Sequence, residues 1–150
     1  MGDLFVIRVA GNIVAPSLIG SVELAAENFG ARLVVVLGHT GCSAVAATID
    51  VLQSRESRKS RNINSIINTI RPSVEGLVAE SRNKDREQLM HVAVRANVLS
   101  TVDGLRHGSE TLERLIDENG LMVVGAEYSL ETGIVEYLHG IPGLDDEFTV

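Results

Sequence analysis

Residues 32–45, "RLVVVLGHTGCSAV", decide how the chain is read. The segment from Arg32 to Gly38 is an unbroken aliphatic run rich in β-branched valine, the pattern of a strand buried on both faces. It stops at a glycine. After Cys42 the apolar residues return as Val45, Ile49 and Leu52, one helical face apart. A buried strand feeding through a short polar turn into an amphipathic helix is the repeating unit of an α/β protein.

The same alternation continues outward in both directions. Upstream, "SLIGSVELAAENFG" places Val22, Ala25, Ala26 and Phe29 on one helical face, with Gly30 as its stop. Before it, Leu4 to Val9, "LFVIRV", reads as another strand buried on both sides and ended by Gly11-Asn12. Downstream, "QSRESRKSRN" breaks the apolar rhythm. Its Arg55, Arg58, Lys59 and Arg61 read as a solvated loop, with a local phosphate site as the weaker alternative. Ile63, Ile66, Ile67 and Ile70 mark a helix expected to close at Pro72. Val94, Val98, Val102 and Leu105 mark a helix ending near Gly108, and Leu112, Leu115 and Ile116 one ending at Gly120. "LMVVGAEY", from Leu121, is a third strand, and Gly133 opens a short segment carrying Val135, Tyr137 and Leu138. The expected architecture is α/β, a mostly parallel β-sheet flanked by helices, with residues 1–150 forming a single domain.

Composition narrows the function classes. Hydrophobic residues are 45% of the 150 and aromatics only 3%, so the core is built from Val, Leu, Ile and Ala. A net charge of −7 argues against a general nucleic-acid binder, which needs a basic field. One cysteine excludes an internal disulfide and suits a reducing compartment. No apolar run is long enough to span a bilayer, and no basic segment leads an apolar stretch at Met1. The expectation is a cytoplasmic protein with no membrane and no nucleic-acid partner.

Ligands of open α/β sheets bind at the carboxyl ends of strands, which is where His39 and Cys42 fall. Imidazole and thiolate three residues apart across that turn can meet on one metal ion, and zinc favours this nitrogen–sulfur pair. The helix start after Cys42 favours an anion there, and Gly41 lets its backbone approach one. Two other readings stay open: a buried cysteine acting as a small hydrophobe, and a cysteine nucleophile with His39 as base, for which no third partner is identifiable. A phosphate-cradling loop is disfavoured, since neither a Walker lysine nor G-x-G-x-x-G is present.

Four stretches, "GDLFVIRVAGNIV", "SVELAAENFGARLVVVLGHTGCSAV", "AVRANV" and "LMVVGAEYSLETGIVEYL", resemble the β-class carbonic anhydrases in order and across nearly the whole chain. The resemblance implies a zinc lyase interconverting carbon dioxide with bicarbonate and a proton, His39 and Cys42 being two zinc ligands and a zinc-bound hydroxide the nucleophile. It implies a homodimer or higher homo-oligomer. Relatives of the same fold also hydrolyse other small linear molecules such as carbon disulfide. The resemblance further implies an inhibitory bicarbonate site of Trp, Arg and Tyr in some members. Arg8 and Tyr128 match its last two, while the chain has no Trp. The structural alternative is an ion pair for Arg8 and strand-end packing for Tyr128.

The family pattern also places a Cys-x-Asp-x-Arg motif before "DLFVIR", supplying a second thiolate and an Asp–Arg pair; these 150 residues contain neither. Relative to the family the chain therefore reads as N-terminally truncated, and no catalytic residue is identifiable in it. A fragment, a start assigned too late and a natural truncation are the three explanations. A catalytically inactive relative acting through protein–protein contacts is the alternative function. His91, His107 and His139 lack metal spacing, and Glu23, Glu27 and Glu127 show no pairing that singles out a general acid. Asn97 reads as a packing or hydrogen-bonding residue.

Overall fold

A computed structural model describes residues 2–54, 60–81 and 85–140. A single 3-10 turn, Ala10–Asn12, precedes α1 (Pro16–Asn28), β1 (Leu33–His39), α2 (Ser43–Ser54), α3 (Arg61–Glu80), α4 (Arg86–His107), α5 (Glu110–Asn119), β2 (Met122–Tyr128) and β3 (Val135–His139). The sheet has the order β1-β2-β3. β1 and β2 are parallel, with Leu33 opposite Met122 and His39 opposite Tyr128. β2 and β3 are antiparallel, which turns the expected mostly parallel sheet into a mixed one within the α/β class. The reason is local: the turn after Tyr128 is closed by Ser129 and Ile134, too short for the crossover that a parallel neighbour requires.

Local chemistry explains the helices. Pro16 opens α1, where its missing N–H costs nothing. Ser60 and Ser109 accept hydrogen bonds from the Ile63 and Leu112 amides and so cap α3 and α5. α4 is the central helix. Its Val98, Val102 and Leu105 join Val36 of β1 and Val123 of β2 in one core cluster, while its Leu89, Ala93 and Val94 join Val45, Ile49, Ile70 and Val74 in a second. Each valine, leucine or isoleucine among them contributes on the order of 1.5–3 kcal/mol by burial. Gly38 and Gly125 let α4 close on the sheet. A Cβ on Gly38 would stand 2.5 Å from Val98 Cγ2, and one on Gly125 3.1 Å from Val98 Cγ1.

Three sequence expectations are corrected here. Leu4–Val9 is not a strand, and it is exposed throughout; the sheet of the described residues offers it no ladder, and an apolar run alone cannot make one. Its Phe5 ring instead rests on Phe29, with centroids 5.9 Å apart, and Phe29 is exposed although it shares a helical face with buried Val22, Ala25 and Ala26. β1 is buried on one face only: Val36 is covered by α4, whereas Leu33, Val35 and Leu37 are exposed. Pro72 does not end α3; the helix runs on to Glu80 because Val74 beyond it is fully buried in the second core cluster. The basic residues Arg55, Arg58 and Lys59 lie outside the described residues; Arg61 opens α3. Among the described residues no helix is long and apolar enough to cross a membrane.

Candidate metal centre at the end of β1

His39 is the last residue of β1, and Ser43 the first of α2. The turn between them is held by backbone chemistry. The Thr40 amide donates to the Tyr128 carbonyl at 3.0 Å, carrying the β1–β2 ladder one residue past the strand. Gly41 has φ of 67°, the left-handed region that glycine enters without strain, and it is exposed. Cys42 then accepts the Ala46 amide at 2.9 Å as the helix begins.

The two candidate ligands are preset differently. His39 Nδ1 lies 2.9 Å from the Thr40 carbonyl oxygen. A carbonyl only accepts, so Nδ1 carries the proton and Nε2 keeps its lone pair for a metal. Cys42 is a free, buried thiol that belongs to the apolar cluster of Val45, Ile49 and Ile70. In kind, a nitrogen and a sulfur donor fit zinc. In number they supply two of the three protein ligands a catalytic zinc needs, and no group of three or more His, Cys, Asp or Glu gathers among the described residues.

Of the candidate anion contacts, Gly41 lies in the ligand turn and Tyr128 at the end of β2, opposite His39. Arg8 is on the exposed N-terminal segment and forms no ion pair with the described residues. Asn97 plays the hydrogen-bonding part read from its sequence context: its amide donates to the Gly11 carbonyl at 2.8 Å, while Thr101 holds the Asn12 carbonyl.

A second polar cluster escaped the sequence reading. Glu127, one residue before Tyr128, is buried with 4% exposure. Its Oε2 accepts from Arg95 Nε at 2.8 Å and lies 3.7 Å from His91 Nε2, while Oε1 meets no donor among the described residues. Arg95 also donates to Glu136 of β3, so one guanidinium ties α4 to both strands. Burial pulls the Arg95 pKa down, but the hydrogen bonds and charges of Glu136 and Glu127 outweigh it and hold the guanidinium above its ordinary value. The signal that could have found this cluster is a glutamate inside the apolar run "LMVVGAEY", since a buried charge requires a partner. His139, also set aside at the sequence level, meets Arg106 at 3.0 Å on β3.

Comparison with known proteins supplies an independent line. The sequence profile of a family described as carbonic anhydrase matches residues 1–135. The chain is 32% identical over 137 residues to a carbonic anhydrase of Mycolicibacterium smegmatis, covering 91% of this chain and 63% of that protein. It is 30% identical over 138 residues to carbonic anhydrase 2 of Mycobacterium tuberculosis, covering 89% and 61%. The chain thus spans less than two thirds of the length of these relatives. Among solved structures, a tetrameric β-carbonic anhydrase of Sordaria macrospora superposes with a TM-score of 0.79 at 21% identity, covering 91% of this chain and 68% of the other. The β-carbonic anhydrase CafA of Aspergillus fumigatus gives 0.77 at 22%, covering 93% and 65%.

Proposed function

This chain belongs to the β-class carbonic anhydrase family, and from that premise we propose that it serves the zinc-dependent, reversible hydration of carbon dioxide to bicarbonate and a proton. His39, through Nε2, and Cys42, through Sγ, would hold the zinc. No third protein ligand joins them among the described residues. When bound, zinc supplies the Lewis acidity that makes water nucleophilic near neutral pH.

The chain's own residues do the rest. The Thr40 carbonyl engages Nδ1 of His39 and so leaves Nε2 as the nitrogen that would face a metal. The apolar cluster around Cys42 keeps water from one side of the site and strengthens the charge interactions there. Gly41, exposed and without a side chain, leaves room for an anion to approach the turn backbone. Arg8 and Tyr128 are assigned to bicarbonate contact by the resemblance. We place the protein in the cytoplasm, as a homo-oligomer without nucleic-acid or membrane partners. Its free thiol, its acidity and the tetramer described for the Sordaria relative support that reading.

The preset His39 ring, three residues before a free cysteine at a strand end, is the observation that carries the proposal. Titration with cobalt tests it. A sulfur-to-cobalt charge-transfer band is expected, with loss of the band in Cys42→Ser and weakened uptake in His39→Ala. Cobalt that binds with neither change would overturn it. Carbon dioxide hydration by the zinc-loaded protein, absent from both variants, is the matching activity readout.

A further inference from the structure

We propose that Thr40 is a positioning residue that bolts the ligand turn to the β2–β3 turn and thereby sets the His39 ring; this deepens the zinc reading and rests on it. Thr40 makes three hydrogen bonds in three directions. Its carbonyl accepts from His39 Nδ1 at 2.9 Å, its amide donates to the Tyr128 carbonyl at 3.0 Å, and its hydroxyl accepts from the Leu130 amide at 3.0 Å.

The first two are main-chain bonds that any residue could make. The third needs an acceptor on a short side chain, which Thr and Ser possess and Val and Ala do not. It also rests on a firm base. The turn holding Leu130 is closed by Ser129 N–H to the Ile134 carbonyl and by Gly133 N–H to the Ser129 carbonyl, both at 2.9 Å. Within it Ser129 Oγ further accepts from the Thr132 amide. With the hydroxyl engaged, Thr40 is pinned by its side chain and by its amide, so the carbonyl that orients His39 is held in place before the chain turns left-handed at Gly41. Partners that orient a ligating histidine are worth about 10–100-fold in metal affinity.

The test compares wild type, Thr40→Val and Thr40→Ser as full chains. Amide hydrogen exchange at Leu130 reads the bolt without metal. Nitrogen chemical shifts of the His39 ring read its tautomer. Chelator competition reads the cobalt dissociation constant. Thr40→Val should speed Leu130 exchange, mix the His39 tautomers and weaken cobalt about 10-fold, and Thr40→Ser should restore all three. Should Thr40→Val fail to fold, Thr40→Ala takes its place with the same expected changes. Wild-type affinity and ring signals in the valine or alanine variant overturn the role of Thr40 while leaving the zinc reading intact. A wild-type chain whose His39 and Cys42 never touch cobalt removes the zinc reading, and this role with it.

Discussion

Glu127 is kept inside the protein by Arg95, and the pair defines what a single substitution should do. Arg95→Met leaves a buried carboxylate without its cation and is expected to destabilise the fold by about 3 kcal/mol; the Arg95→Met, Glu127→Met double variant should recover most of it. Urea denaturation of the four species measures the coupling. The pH dependence follows from the raised Arg95 pKa. A group raised in the folded state stabilises fully below its unfolded value, which for a guanidinium is already strongly alkaline, and loses that contribution only as pH climbs through the folded one. The loss caused by Arg95→Met should therefore be the same at about pH 8 and about pH 10. At Gly38, a methyl group would stand 2.5 Å from Val98 Cγ2. Gly38→Ala should cost about 1–3 kcal/mol, partly recovered by Val98→Ala. At this scale the sequence displayed the His39 and Cys42 pair, because spacing within one turn is a local property. It hid Glu127, whose partners Arg95 and His91 lie more than thirty residues upstream and are brought to it only by the fold.

Helices and strands obey rules of different reach. Ser109 caps α5 through the Leu112 amide and also donates to Glu23 of α1. Ser109→Ala should cost about 1 kcal/mol, read as a lower thermal midpoint, with Ser109→Asn, which can both accept and donate, restoring the cap. The core faces of α2, α4 and α5 were legible because helical periodicity is written every three or four residues. Pro72 misled because burial of Val74 outweighs one lost helical hydrogen bond. Strand burial misled further. "LFVIRV" and "LVVVLG" carry the same aliphatic signal, yet the first has no ladder and the second is covered on one side, since neighbours and not the run itself decide both.

For the molecule as a whole, the α/β layering followed from the order of apolar segments, while the coverage of the sheet did not. β1 lies at the edge of the described sheet, and Leu33, Val35 and Leu37 stand in solvent beside it. Such a strand invites pairing with another chain. The 150-residue chain should self-associate as its concentration rises, and Val35→Lys should suppress this in light scattering without changing the helical circular dichroism. The parallel pairing of β1 with β2 has a consequence in time. His39 and Cys42 leave the ribosome well before Tyr128, whose carbonyl steadies their turn. At ordinary translation speeds that interval is on the order of ten seconds. Throughout it the nascent turn lacks the strand that steadies it, so its final geometry belongs after synthesis, once β2 has docked beside β1.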